Sequence, residues 1–303
     1  MKRVVVAIAL TLLLLAVAAT AQLTDWSAPV NLGPVVNSAY LDSCVSVSKN
    51  GRSLFFFSTR YDLGKSGVWH LYVSQRASMD APWGEPQEIK GFNEGYHATC
   101  PALSPDERRL FFASNRPDGC GANDIWVSIR HDPRDNFFWE PPAHIGCASD
   151  GYVNSPQGEN VATVFEDETG TEVLYFSSNR PGLGGADNWE SRMRDDGTFG
   201  PATLVKELST PYADAAAVRH DGLEVILSLT DAADSGNLWT ATRESTEDPW
   251  PAPVILTGLN SAGWEGGRMS FSFNGRAFYF TSDRPGGYGG RDLYVTTRER
   301  LRK

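Results

Sequence analysis

Two stretches of the chain decide its fold, because they repeat each other with the same spacing. Residues 100–128 read CPALSPDERRLFFASNRPDGCGANDIWVS, and residues 268–296 read RMSFSFNGRAFYFTSDRPGGYGGRDLYVT. In each stretch a tight turn precedes an aromatic run, a glycine-rich loop follows, and a second apolar run closes the unit. Short runs of aromatic and β-branched residues bounded by turn residues predict β-strands.

The same pattern occurs five times along the chain. Its segments open with Trp26, Trp83, Trp139, Phe199 and Trp250, at intervals of 51 to 60 residues. Four strands per unit and no helical periodicity after residue 21 predict an all-β chain, a five-bladed β-propeller with four-stranded antiparallel blades. The first Trp strand is expected to pair, as an outer strand, with the C-terminal strand at 292–297. That pairing closes the ring and leaves no open sheet edge.

The N-terminus predicts export. Lys2 and Arg3 precede an apolar run that reaches Ala18, and small residues end at Ala21. This is the pattern of a secretory signal peptide over 1–21, followed by one propeller domain over 22–303 in the periplasm or outside the cell. The apolar run is shorter than the ~20 residues of a membrane-spanning helix, so no membrane insertion is expected.

Charge and cysteine content narrow the partners. Asp and Glu number 37 against 27 Lys and Arg, a net charge of −10, which argues against nucleic acid as a partner. Four cysteines in an oxidising compartment permit two disulfides, and we expect Cys120–Cys147 and Cys44–Cys100. The first prediction assumes that the loop between the second and third strands emerges beside the segment leading to the next blade. The second assumes that matching positions on adjacent inner strands approach closely enough for a disulfide. With no CxxC pair and no histidine cluster, no metal site or cofactor is expected.

The two quoted stretches resemble the WD40-like (PD40) repeat of bacterial secreted proteins and of the periplasmic propeller of the Tol system. The resemblance extends over residues 26–298 and implies the propeller fold. The Tol-system protein has six blades and an additional α/β domain, so its particular partner is not carried over.

A charged motif recurs from blade to blade. Ser-x-Arg is followed seven or eight residues later by Asp, as in Arg180 with Asp187 and Arg284 with Asp292. We expect a structural ion pair across the loop, because a functional residue has little reason to occur once per blade.

Candidate site residues surround the start of each innermost strand. An aromatic residue precedes each strand, and variable polar residues follow it closely; these residues are Tyr40, Asp42, Tyr96, His97, Tyr152, Asn154, Tyr212, Asp214, Trp264, Glu265 and Arg268. In a propeller they gather at one mouth of the central channel, as a ligand-binding set with one cation beside an acidic group. The alternative is that the aromatics are wedges between blades and the polar residues are solvated.

The sequence contains no GxSxG, HExxH or P-loop motif. This favours a non-catalytic, monomeric binding module that recognises a protein or a cell-envelope glycan. The alternative is a carbohydrate-active enzyme of glycoside hydrolase type, with Asp42, Asp214 and Glu265 as acid, base and orienting carboxylates. A structural surface-layer role also stays open.

Overall fold

A computed structural model describes residues 23–61, 68–93, 95–147, 153–230 and 236–301. These form five four-stranded antiparallel sheets, which are the blades of a propeller. The fold class predicted from the sequence is therefore confirmed. Residues 1–22 lie outside the described residues, so the signal peptide stays a prediction, as does the domain boundary that follows it.

Twenty strands and one short 3-10 helix at Lys206–Leu208 make up the described chain. Strand β1 (Val30–Asn31) comes first and belongs to the last blade. Blade one contains β2 (Asp42–Val47), β3 (Ser53–Ser58), β4 (His70–Gln75) and β5 (Gln87–Glu88). Blade two contains β6 (Ala98–Leu103), β7 (Arg109–Ser114), β8 (Asp124–Ile129) and β9 (Ala143–His144). Blade three contains β10 (Glu159–Glu166), β11 (Glu172–Ser178), β12 (Asp187–Arg192) and β13 (Thr203–Leu204). Blade four contains β14 (Asp214–Val218), β15 (Glu224–Thr230), β16 (Gly236–Thr242) and β17 (Val254–Ile255). Blade five contains β18 (Glu265–Phe271), β19 (Ala277–Ser282) and β20 (Asp292–Thr297), completed by β1.

Each blade is buried on both faces, which explains the continuous apolar runs. Side chains alternate between the two faces of a strand. Phe55 of β3 therefore belongs to a cluster with Phe112 of blade two, whereas Leu54 and Phe56 belong to a cluster with Leu293 of blade five. Five such clusters fill the interfaces between neighbouring blades. Each buried Leu or Phe contributes about 1.5–3 kcal/mol to this packing.

The ring closes within blade five. Strand β1 pairs antiparallel with β20, and Val30 lies opposite Val295. Beside this seam Trp26 packs its ring 6.0 Å from Phe278, and the guanidinium of Arg298 lies 4.0 Å from the Trp26 ring centroid. The first Trp segment therefore completes the last blade as expected, so that every blade has four strands.

The five inner strands surround the central channel and run in the same direction. We call the residues before each of them the lead-in segments, which are 32–41, 89–97, 145–158, 205–213 and 256–264. The end of the ring at these segments is the mouth, and the opposite end is the exit face. No helix among the described residues is long and apolar enough to span a membrane.

Candidate functional site

A buried acidic residue begins four of the five inner strands. These residues are Asp42, Glu159, Asp214 and Glu265, each at most 3% exposed. In each case a Ser or Thr four residues earlier donates its hydroxyl to the carboxylate, as Ser38 does to Asp42 at 2.8 Å and Ser155 to Glu159 at 2.6 Å. Thr210 and Ser261 do the same for Asp214 and Glu265. The repeated arrangement ties the lead-in segment to the start of its strand.

The arginine of the Ser-x-Arg motif pairs with this inner-strand acid. Arg60 Nη2 lies 2.6 Å from Asp42 Oδ1, and Arg284 Nη2 lies 2.8 Å from Glu265 Oε2. In blade three the corresponding ion pair joins Arg180 to Glu159 at 3.1 Å. The predicted pairing of Arg180 with Asp187 and of Arg284 with Asp292 is therefore wrong. The acid that faces the arginine lies in the same blade but about 20 residues earlier in the chain.

The loop aspartate binds backbone instead. Asp292 accepts N–H groups from Tyr288 at 2.7 Å and Gly289 at 3.2 Å, and Asp187 accepts the N–H of Leu183 at 2.7 Å. A carboxylate that satisfies several loop N–H groups holds a glycine-rich turn in one conformation. The glycine-rich loops are thus structural turns.

The glycine-rich loops of blades two and five also contact the next blade. A Cβ at Gly289 would overlap the carbonyl oxygens of Ser38 and Tyr40, which belong to the lead-in segment of blade one. Gly121 lies equally close to the backbone of Ser155 and Gln157. The loops between second and third strands therefore emerge at the mouth, in contact with the lead-in segments, as the disulfide prediction assumed.

Both predicted disulfides are present. Cys44 pairs with Cys100 at a Cα–Cα distance of 4.6 Å, and Cys120 pairs with Cys147 at 5.4 Å. The first joins the inner strands of blades one and two, and the second joins a loop of blade two to the lead-in segment of blade three. Two disulfides indicate a protein that folds outside the cytosol.

A histidine lies against the second disulfide. Among the described residues, one group of potential metal ligands converges, formed by Cys120, His144 and Cys147. The two sulfur atoms are bonded to each other and offer no thiolate to a metal. His144 instead approaches Cys120 Sγ at 3.6 Å and Asn154 Nδ2 at 2.9 Å.

Asp214 differs from the other three inner-strand acids. Blade four has Asp231 where the others have arginine, and no ion pair of Asp214 occurs among the described residues. From the described residues its carboxylate accepts two hydrogen bonds, from the N–H of Thr210 at 2.5 Å and from the Thr210 hydroxyl at 2.8 Å. Burial raises the pKa of Asp214 to about 6, and nearby Asp187 adds to the rise, against the opposing effect of the Thr210 hydrogen bonds. A carboxyl with this pKa can hold and release a proton near neutral pH.

The aromatic residues of the predicted set do lie at the mouth. Tyr96 and Tyr212 are 39% and 42% exposed, and Trp264 is half-buried with the guanidinium of Arg291 3.8 Å from its ring centroid. Tyr40 is also half-buried. Tyr152 lies outside the described residues. Partly exposed rings of this kind offer apolar surface to a ligand.

A cleft opens beside Tyr96. It has a volume of about 310 Å³, and Arg116, Asp118, Trp126 and His144 also line it. This is the size range of small-molecule sites, in which a few polar groups orient a ligand against apolar walls.

Two predicted polar residues serve the fold. Asn154 is fully buried, and its amide accepts the N–H of Ile125 at 2.8 Å and donates to the Ile125 carbonyl at 2.9 Å. His97 accepts the N–H of Trp69 at Nδ1 and packs against the Trp69 ring at 4.8 Å. Burial lowers the pKa of His97, and the nearby His70 lowers it further. The side-chain amide of Asn154 is therefore hydrogen-bonded to the backbone of Ile125.

Arg268 is placed differently from the prediction. It is 3% exposed and forms no ion pair or hydrogen bond with any described residue. Its side chain lines a cavity that leads to the exit face, together with Lys49 and Phe273. The expectation that it lies beside the acidic group at the mouth is therefore wrong.

Sequence reasoning missed Glu159. Counting from Tyr152 places Asn154 at the start of the inner strand of blade three, because the lead-in segment of this blade is longer than the others. The spacing of Ser or Thr four residues before the acid, seen at Ser38 and Asp42, identifies Ser155 and Glu159 in the same way.

Comparison with known proteins gives structural likeness only. No protein-family model matches the sequence, and no curated protein does. The catalytic domain of a GH62 α-L-arabinofuranosidase from Coprinopsis cinerea is similar with a TM-score of 0.59 at 13% identity, over 90% of this chain and 96% of that one. The α-L-arabinofuranosidase PaAbf62A from Podospora anserina, in complex with cellotriose, has a TM-score of 0.56 at 12% identity, over 91% and 96%. A GH43_1 enzyme from Xanthomonas citri, complexed with xylose, has a TM-score of 0.58 at 16% identity, over 88% and 89%.

These matches correct the functional expectation. The prediction of a non-catalytic binding module is contradicted, because solved structures similar over about nine-tenths of the chain include GH62 and GH43 glycoside hydrolases. The resemblance to WD40-like repeats stays a prediction. At 12–16% identity the likeness shows the fold alone: this chain is a five-bladed propeller of the shape that those glycoside hydrolases share.

Proposed function

We propose that this protein is a carbohydrate-active enzyme that hydrolyses glycosidic bonds at the mouth of the ring. The observation that carries the proposal is Asp214, a buried carboxyl with a pKa of about 6 and with no basic partner in the described part of the chain, in a fold shared with glycoside hydrolases. Glycoside hydrolysis needs a protonated carboxyl that donates to the leaving oxygen. Asp214 has the proton affinity for that role.

The second carboxylate of such a mechanism comes from Asp42 or Glu265. Both begin inner strands at the mouth, and both are ion-paired, Asp42 with Arg60 and Glu265 with Arg284. An ion-paired carboxylate suits the base or the orienting group, whereas the unpaired Asp214 suits the acid. Both acids are fully buried, so this role requires the lead-in segments to open on substrate binding.

The proposed substrate class is a pentose-containing glycan. The similar structures act on α-L-arabinofuranosyl groups or hold xylose. Tyr96, Tyr212 and Trp264 offer partly exposed rings on which sugar rings can stack. The protein is expected to act as a monomer.

The test is hydrolysis of 4-nitrophenyl α-L-arabinofuranoside, 4-nitrophenyl β-D-xyloside and arabinoxylan by protein with both disulfides intact. Asp214→Asn is expected to lower kcat by a factor of about 10² to 10⁴, the range for loss of a general acid. Activity of the parent should fall above about pH 6, because Asp214 then loses its proton.

A matched control separates chemistry from folding. Glu159→Gln disturbs the same type of buried acid, with its Arg180 partner, in another blade. If Asp42→Asn and Glu265→Gln lower activity only as much as Glu159→Gln does, these two acids are structural. A parent protein inactive on all three substrates, or an Asp214→Asn variant with full activity, overturns the proposal.

A further inference from the structure

Arg268 has an unusual position in the channel. It sits at the irregularity in β18 between Gly266 and Ser270, where the register with β19 shifts. The position of Cys44 and Cys100, two residues after the start of the strand and in the left-handed backbone conformation, is taken in blade five by Gly267, directly before Arg268. Blade five therefore places a cation one residue beyond the position at which its neighbours form the disulfide.

This guanidinium is buried without a counter-charge. Arg268 is 3% exposed, and its Nη1 is buried with no hydrogen-bond partner among the described residues. Burial lowers the pKa of Arg268 to about 9, and no neighbouring charge contributes to the shift. Other buried arginines have partners: Arg298 is paired with Glu224 at 2.6 Å, and Arg130 donates to Asn136 Oδ1 at 2.7 Å. A buried unpaired charge is strongly unfavourable, and proteins ordinarily supply it with a partner.

The surroundings of Arg268 form a cavity of about 70 Å³, lined by residues of all five blades. Since one water needs roughly 10–15 Å³ by this measure, the cavity can hold a small ion with a few waters. Ser46 and Thr163, which carry hydroxyl groups, are among the residues of its wall. Ser46 Oγ accepts the N–H of Leu103 at 3.2 Å, which leaves its own proton free to donate.

The charges at the exit face complete the description. Lys49 and Glu107 both line the cavity. Glu107 Oε1 accepts a hydrogen bond from the backbone N–H of Lys49 at 2.8 Å. His220 also lines it, and burial lowers its pKa, so it carries no charge at neutral pH. The cavity wall therefore contains two cations, Arg268 and Lys49, and one acid, Glu107, and its net charge is positive.

We propose that this cavity is a binding site for a small oxyanion, held by the Arg268 guanidinium with Ser46 and Thr163 as further donors. The planar fork of arginine matches two oxygens of a carboxylate, phosphate or sulfate. The ion enters from the exit face, past Lys49. This site lies at the opposite end of the ring from the proposed glycan site and does not depend on it.

The test compares thermal unfolding of the parent and Arg268→Met in sulfate, phosphate or acetate, with sodium chloride holding the ionic strength constant. Sulfate and phosphate also stabilise proteins without binding, so the difference between the two proteins is the readout. The parent melting temperature is expected to rise with the logarithm of the concentration of at least one oxyanion, beyond the rise in Arg268→Met. The oxyanion that produces this difference identifies the ligand as inorganic or carboxylate.

Three further measurements keep the test decisive. Isothermal titration calorimetry of the parent should show one site for that oxyanion, and Arg268→Lys should weaken it at least fivefold, because lysine lacks the fork. Arg134→Ala changes a fully exposed arginine and should bind like the parent. Equal melting shifts in the parent and Arg268→Met, or no calorimetric binding to the parent, overturn the proposal even if a variant fails to fold.

Discussion

Replacing Asp214 with asparagine is expected to stabilise the protein at alkaline pH and to destabilise it slightly at acid pH. The pKa of Asp214 rises from 3.8 in the unfolded chain to about 6 in the folded protein. Between these values the folded state binds more protons, so stability decreases as the pH rises and the full penalty is present above pH 6. A rise of this size corresponds to about 3 kcal/mol.

The variant removes this penalty. It also removes one hydrogen-bond acceptor for Thr210, and that loss costs about 1 kcal/mol. Asp214→Asn should therefore be about 2 kcal/mol more stable than the parent at pH 8 and about 1 kcal/mol less stable below pH 4. Urea unfolding of both proteins across this range gives the difference directly, because titrations elsewhere in the chain cancel. A difference that stays constant with pH would refute the reasoning.

The matched acid in blade three provides the contrast. Glu159 is ion-paired with the buried Arg180, and Glu159→Gln removes the negative charge of this acid from the pair. We expect a loss of about 3–5 kcal/mol at pH 8, the cost of breaking a buried pair from one side. At pH 8 the free energy of unfolding should therefore rise in Asp214→Asn and fall in Glu159→Gln. Changes of opposite sign are expected because blade four lacks the arginine that pairs with the inner-strand acid in blade three.

Three more outcomes follow from the ring. Cys44→Ala with Cys100→Ala opens a loop of 56 residues and should lower the free energy of unfolding by about 4 kcal/mol in denaturant melts; no change would mean that the bond does not form in the protein. Gly289→Ala should cost about 2 kcal/mol because its Cβ meets the backbone of the blade-one lead-in segment, whereas Gly290→Ala, with nothing within 4 Å, should stay within about 0.5 kcal/mol; equal effects would argue against this contact. Trp26→Ala should cost about 3–5 kcal/mol and broaden thermal unfolding, since Trp26 packs at the seam; an unchanged single transition would show that the seam does not hold the ring together.

Features set by the repeat were predictable from the sequence. The period gave five blades, and the order of strands gave the pairing of β1 with β20. The Cys120–Cys147 disulfide followed because a loop and a lead-in segment at the same end must touch, as Gly121 and Ser155 do. The Cys44–Cys100 disulfide followed from matching positions on adjacent inner strands. Each of these inferences needs only the order of elements and the direction of the strands.

Side-chain partners were less predictable, because two residues far apart in sequence can lie opposite each other on paired strands. Arg180 is near Asp187 in sequence, yet the strand pairing of Glu159 with Ser178 brings Glu159 to the arginine. Arg268 could not be placed either, since its environment consists of residues from five separate blades. Long-range contacts of this kind are determined by the ring as a whole.

The closed seam also bears on how the chain could be rearranged. The backbone N–H of Thr24 lies 2.8 Å from the carbonyl oxygen of Glu299, so the two ends of the described chain are hydrogen-bonded neighbours. A short peptide could join them while a new opening is cut in a turn on the exit face, for example between Asn274 and Gly275. Such a circular permutant would keep every blade interface, and only the blade that contains the break would change.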